Sequence, residues 1–320
     1  MQNRINAITL PPQMKCVYKP FYALPIAAIL NNESVIENIG EPKTMNINFT
    51  APRARVLIVD DNIINLQVAE GLMRPYHMQI ITAESGRDAI RLLDSKDIDL
   101  IFMDHMMPEM DGIETTQKIR RMEGEYYQNV PIIALTANAA DDVKNMFLNS
   151  GFQDFMPKPI ELSTLDKILK AWLPKNLIQR TAAEETMPEQ KPPLLNQPDA
   201  LNGRIDTKLG MFYTGGDPDA YISILSSYIS KGASKLKQIR MLYEEKDWKN
   251  YIIDVHALKS ASLSIGAKEL SELAKALESA GKEGNYPLIM EKTETMLALY
   301  QEVIELGQAY LLDVGKTKTS

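Results

Sequence analysis

The chain has 320 residues, 45% of them hydrophobic, and a formal net charge of −7 with acidic and basic residues mixed along it. That length suits about two domains, and that apolar share is ordinary for folded protein, so a disordered chain is excluded. No basic field argues for nucleic acid or an anionic membrane, and a single cysteine, Cys16, excludes internal disulfides and cysteine-built metal sites.

Residues 1–50 are interrupted by Pro11, Pro12, Pro20, Pro25 and Pro42. The apolar stretch Phe21 to Leu30 falls well short of the ~20 residues of a membrane span and lacks the flanks of a secretory signal. We therefore expect a cytoplasmic chain without membrane contact, although a longer parent could be membrane-anchored. Val17-Tyr18-Lys19-Pro20, followed by Ile26, Ile29 and Leu30, echoes Phe155-Met156-Pro157-Lys158-Pro159, followed by Leu162, Leu165 and Leu169. The first copy lacks four preceding strand and helix units, so it reads either as the tail of a truncated domain or as an adventitious arm.

From Arg55 onwards short apolar runs recur at Val56 to Val59, Met78 to Thr82, Leu100 to Met103, Ile132 to Leu135 and Phe152 to Met156. Helical stretches fall between and after them, at Ile63 to Met73, Gly86 to Leu93, Ile113 to Met122, Ala140 to Leu148 and Leu162 to Trp172. Five alternating units predict a doubly wound α/β domain with a five-stranded parallel sheet over residues 53–174. Residues 175–203, with Pro188, Pro192, Pro193 and Pro198, read as a flexible linker. A coil of that length reaches roughly 30 Å and keeps flanking domains at about millimolar effective concentration. Helix-length periodicity then predicts an all-α four-helix bundle over residues 204–312, from Asp219 to Tyr243, Asp247 to Ile265, Ala267 to Ala280 and Pro287 to Leu312, with 313–320 as a tail.

Polar residues stand at four strand ends: Asp60 and Asp61, Asp104, Thr136, and Lys158. In a parallel sheet these open onto one edge, where ligands of such sheets gather. Three crowded carboxylates repel unless a cation neutralises them, and hard oxygens suit Mg²⁺. Lys158 and Thr136 then suit an anion, a phosphoryl group best, with Asp104 as nucleophile.

The motifs Val59-Asp60-Asp61-Asn62, Met103-Asp104 with Met107-Pro108-Glu109-Met110-Asp111-Gly112, Leu135-Thr136-Ala137 and Lys158-Pro159 resemble the receiver domain of two-component response regulators, a flavodoxin-like fold. The resemblance implies phosphoryl acceptance on Asp104 and Mg²⁺ held by Asp60, Asp61, Asp104 and the backbone carbonyl of Met106. It implies also that Thr136 and Phe155 form a switch pair and that Lys158 contacts the phosphoryl group; a receiver dimer is possible, and the sequence leaves it open. His105, with no His, Cys or Glu at ligand spacing beside it, is assigned no role.

In the bundle, Trp248, Tyr251, Val255, Leu258, Ser262 and Ile265 define a buried stripe, and His256 is about 100° off it. The imidazole is therefore expected to be exposed beside a dockable patch, with Lys249, Lys259 and Ser260 on its side and Ile252 and Leu263 as apolar surface. His256-Ala257-Leu258-Lys259-Ser260-Ala261-Ser262 and Ile265-Gly266-Ala267 resemble histidine-phosphotransfer domains, together with Gly215-Gly216-Asp217, Asp247-Trp248, Leu273-Ala274 and Leu277-Glu278. The resemblance implies phosphorylation of His256 with Lys259 assisting. A glycine often follows the lysine in that motif, and Ser260 stands there instead.

The whole resembles the C-terminal part of a hybrid sensor histidine kinase: a phosphorelay module in which Asp104 takes phosphoryl from an upstream sensor histidine kinase. It would exchange the group with His256 or with partners such as a downstream response regulator. No glycine-rich ATP-binding motif accompanies it. Two alternatives are an Mg²⁺-dependent aspartyl-phosphate phosphohydrolase, against which Asn62 stands where a second acid would be needed, and a binding switch with a passive bundle.

Overall fold

Each short apolar run becomes a strand because its β-branched and aliphatic side chains are covered on both faces. In the computed structural model, which describes residues 47–95, 97–136, 141–180 and 201–317, the strands are β2 (Arg55–Val59), β3 (Gln79–Ala83), β4 (Leu100–Asp104), β5 (Ile132–Thr136) and β6 (Asp154–Pro157). All pair in parallel in the order β3-β2-β4-β5-β6. Every residue of β4 and β5 is buried. The predicted fold class therefore stands, with strand ends shifted by one or two residues.

Helices α1 (Ile63–Met73) and α6 (Leu162–Trp172) cover one face of this sheet. Helices α2 (Gly86–Ser95), α3 (Gly112–Arg120) and α5 (Asp141–Asn149) cover the other. A short helix α4 (Glu125–Asn129) precedes β5 and escapes periodicity because five residues span little more than one turn. A two-residue ladder pairs β1 (Phe49–Thr50) with β7 (Gln179–Arg180). Phe49 is buried there against Tyr76, their rings 5.0 Å apart. Residues at the end of the 1–50 segment and at the start of the 175–203 segment thus pack on the α/β domain. The echo at Val17 to Pro20 and the proline-rich run from 181 to 200 lie outside the described residues.

Beyond these, α7 (Thr207–Tyr213) precedes four longer helices: α8 (Pro218–Glu244), α9 (Trp248–Ser264), α10 (Lys268–Lys282) and α11 (Tyr286–Thr317). Asp206, Asp217 and Asp247 cap α7, α8 and α9 by accepting backbone N–H groups of Leu209, Asp219 and Asn250. Gly266 has φ +85°, and a Cβ there would run into the Asp206 carbonyl, so only glycine lets the turn between α9 and α10 close onto the start of α7. The stripe from Tyr251 through Val255, Leu258 and Ser262 to Ile265 is buried as its spacing predicts, while Trp248 at its start, in the first turn of α9, is only half-buried.

Residues 47–317 fall in one compact unit, Met45–Ser320. One continuous buried cluster runs from the sheet through Ile64, Leu66 and Leu72 of α1 into Leu225, Tyr228, Leu258 and Ala261 of the bundle. Helix α1 touches both α8 and α9. Among the described residues no helix is long and apolar enough to cross a membrane.

Candidate functional site

The sheet order reverses between β2 and its neighbours β3 and β4, so the carboxyl ends of β2 and β4 open a crevice. Asp60 and Asp61 follow β2, Asp104 ends β4, Thr136 ends β5 and Lys158 follows β6. One carboxylate oxygen from each of Asp60, Asp61 and Asp104 lies within 4.8 Å of the others. Lys158 Nζ reaches Asp60 Oδ2 at 2.5 Å and Asp104 Oδ2 at 2.7 Å. The N–H of Met106 donates to Asp104 Oδ1 at 3.3 Å, which sets Met106 beside the cluster. Gly112 opens α3 against this edge, where a Cβ would collide with the Asp104 carbonyl. Thr136 and Phe155 share one face of the sheet, Ala134 pairing with Phe155 and Thr136 with Pro157.

Burial of this charge has electrostatic consequences. Burial, then Asp104, pushes Asp60 up to about 6 despite Lys158, and burial with both neighbouring carboxylates pushes Asp61 up to about 7. Burial raises Asp104 too, but Lys158 and His105 outweigh it and hold the group below the usual carboxylate range. Burial lowers Lys158, and Asp104 and Asp60 more than reverse it. Three oxygen donors this close, two of them raised toward neutrality by burial and by one another, fit a small hard cation such as Mg²⁺.

Helix α9 brings a second set of groups to the same place. His256 is 2% exposed, not exposed as expected from the helix alone. The reason is packing: Glu278 and Lys259 of the bundle and His105 of the α/β domain all lie against the ring. Asn62 Nδ2 donates to the Ala257 carbonyl at 3.1 Å, and the His256 ring meets the His105 ring edge to face at 5.7 Å. Arg74 and Asp217 add an ion pair at 3.7 Å at the rim, mostly exposed and therefore worth little.

His256 Nδ1–H donates to Glu278 Oε1 at 2.9 Å. A carboxylate can only accept, so Nδ1 carries the proton and Nε2 the lone pair. Nε2 is buried without a hydrogen-bond partner among the described residues. Burial pushes His256 down to about 4, against Glu278 and Asp104, so the ring is neutral. Lys259 pairs with Glu278 Oε2, and Lys282 reaches Oε1 at 2.6 Å. Burial raises Glu278, and His256 and Lys259 outweigh it to hold the carboxyl well below its ordinary range.

Asp60, Asp61, Asp104, Met106, Thr136 and Lys158 thus stand at the strand ends, His256 and Lys259 lie on α9, and Phe155 lies within β6 against the hydrophobic core. Two further residues share the site. Glu278 is read from the sequence only as part of a wider pattern, since its partner His256 is 22 residues away on another helix. His105 has no motif; what marks it is position, directly after Asp104.

Comparison with known proteins adds two family matches: residues 56–170 to the response regulator receiver domain and residues 223–307 to the Hpt domain. Sensor protein GacS of Pseudomonas syringae pv. syringae is 28% identical over 81% of this chain and 27% of its own length. Histidine kinase 3 of Arabidopsis thaliana is 33% identical over 47% of this chain and 17% of its own. The chain therefore spans about a quarter or less of these relatives. Among solved structures, the receiver domain of the sensor histidine kinase PA1611 from Pseudomonas aeruginosa PAO1, with a magnesium ion coordinated in its active site cleft, is 34% identical. It covers 38% of this chain and 97% of that one, with a TM-score of 0.35.

Proposed function

For a chain that is a receiver domain followed by an Hpt domain, in the order of hybrid sensor histidine kinases, and so a phosphorelay module, we propose that the two acceptors are Asp104 and His256 and that they exchange phosphoryl within this chain. The observation that carries the reading is the burial of both groups at one junction, bridged by His105, whose ring meets His256 at 5.7 Å and whose Nδ1 lies 3.7 Å from Asp104.

The step is a phosphoryl transfer. The Nε2 lone pair of His256 attacks the phosphorus of phospho-Asp104, an N–P bond forms, and the P–O bond breaks with its electrons returning to the Asp104 carboxylate. Lys158 stabilises that carboxylate, and the Glu278 carboxylate offsets the positive charge developing on an imidazole whose Nδ1 keeps its proton. The reverse step loads Asp104 from phospho-His256. Mg²⁺, held by Asp60, Asp61, Asp104 and the Met106 carbonyl, would supply neutralisation of phosphoryl charge. Thr136 is the hydroxyl that answers phosphorylation, with Phe155 as its switch partner, and Lys259 fixes Glu278. Upstream stands a sensor histidine kinase and downstream a response regulator. The phosphohydrolase alternative is disfavoured because Asn62, not an acid, occupies the general-acid position.

The test is incubation of the full chain with Mg²⁺ and radiolabelled acetyl phosphate, in wild type and in Asp104→Asn and His256→Gln. Acid-stable, base-labile label marks Asp and the reverse marks His. Label on His256 that requires Asp104 is expected. Label on Asp104 with His256 empty in the wild type would sink intrachain exchange.

A further inference from the structure

Resting on that exchange, we propose that Asn62 is a positioning residue that ties the acid pocket to the register of the helix carrying His256. Three bonds meet on this residue. Its N–H donates to Asp60 Oδ1 at 2.9 Å, its Oδ1 accepts the N–H of Ile64 at 3.0 Å, and its Nδ2 donates to the Ala257 carbonyl at 3.1 Å.

The first two bonds do not require asparagine. Any residue but proline supplies the N–H, and Asp or Ser caps a helix about as well as Asn. Only the third needs an amide, because a carboxylate has no donor and the serine hydroxyl is shorter and already engaged in the cap. A carboxylate would also add a fourth acid beside Asp60 and Asp61, two of the three already crowded. Asparagine alone meets all three demands without charge.

The acceptor is informative as well. Ala257 is buried next to His256 in the middle of α9, and a peptide carbonyl inside a helix keeps a second lone pair for an outside donor. A bond from the edge of the acid pocket to that carbonyl sets α9 along its own axis. A slip of one residue would move the imidazole by about 1.5 Å and turn it by about 100°. Transfer between two positioned groups tolerates little of this, and a misplacement of about 1 Å can slow a reaction roughly 100-fold.

The experiment uses the full chain, Mg²⁺ and radiolabelled acetyl phosphate, comparing wild type with Asn62→Ser, which keeps a cap and loses the amide. Two rates are read, labelling of Asp104 and passage of label to His256, with thermal unfolding as a check on the fold. The expected result is an unchanged Asp104 rate and unfolding midpoint, with passage to His256 slowed between roughly tenfold and roughly 100-fold. Equal slowing of both rates would place the fault in the acid pocket and overturn the proposal, as would no slowing of either. Asn62→Gln, which keeps the amide on a longer arm and weakens the cap, separates the two roles: a lower unfolding midpoint with faster passage than in Asn62→Ser supports positioning, and passage that only follows the midpoint refutes it. A wild type that never labels His256 would sink the underlying exchange itself, a failure distinct from that of Asn62.

Discussion

The imidazole of His105 meets that of His256 edge to face, ring centroids 5.7 Å apart, while Phe147 meets His105 in the same manner at 5.6 Å. His105 Nδ1–H donates to the Leu135 carbonyl at 2.9 Å, so the ring is held from the sheet and from α5 as it presents its edge or face to the bundle. Its Nδ1 also lies 3.7 Å from Oδ1 of the buried Asp104, so the ring is one of the groups that cover that carboxylate. An aromatic contact of this kind contributes about 0.5–1.5 kcal/mol. His105→Ala is therefore expected to slow transfer to His256 by a few-fold to roughly tenfold. It should also shorten the life of phospho-Asp104 as water gains access. Decay of base-labile label in the His256→Gln background checks the second effect, and an unchanged decay would mean that the ring keeps no water out.

Glu278 ties three cationic or donating groups to one buried carboxylate. Removing it leaves Lys259 and the His256 N–H without their acceptor, and loss of one partner from a buried pair costs about 3–5 kcal/mol. Lys259 and Lys282 have some solvent, so Glu278→Ala should fall toward the lower end of that range. Glu278→Gln keeps an acceptor for Nδ1–H and loses only the charge. Transfer rates are expected to rank wild type above Gln above Ala, with denaturant unfolding giving the stability order. Gln as slow as Ala would assign the effect to charge alone.

Much of this site is legible in the sequence because its parts are local. A strand that ends on a carboxylate reads directly from Leu100 to Asp104, and a proline-bounded lysine reads from Lys158-Pro159. The parts that escape are tertiary. Helical spacing places His256 off the buried stripe correctly, but exposure depends on what packs against that flank, and His105, which lies against the ring, is some 150 residues away in the chain. Glu278 and the bond from Asn62 to Ala257 escape for the same reason. The ladder of Phe49 with Arg180 is too short for any periodicity.

Metal affinity should depend on pH in a definite direction. Asp60 at about 6 and Asp61 at about 7 are raised by burial and crowding, so without a metal the pocket binds protons as pH falls through that range. Mg²⁺ must displace those protons. Affinity is expected to be level above about pH 8 and to decline steadily from pH 7 to 5.5, with proton release on binding. Calorimetry in buffers of different ionisation enthalpy reads both quantities. Affinity that stays level down to pH 5.5 would show that these carboxylates do not hold the ion.

Docking of the bundle on the receiver should show in the reactivity of the three histidines, His77, His105 and His256. His77 is exposed and His256 is 2% exposed, so diethyl pyrocarbonate is expected to modify His77 well before His256. Protonation does not confuse the comparison for His256, whose ring is neutral above about pH 4 while docked. The same shift gives docking a pH dependence. An undocked, solvated His256 would lose part of that burial and keep Glu278, so its value would rise and the docked state binds fewer protons than the undocked one. Docking should therefore weaken as pH falls toward 4. Carbethoxylation of His256, read against a free-imidazole reference compound at each pH, should therefore rise on acidification. A ratio of His256 to His77 modification near one at pH 7.5 would mean that the two domains spend their time apart, and exchange between Asp104 and His256 would then be limited by their encounter.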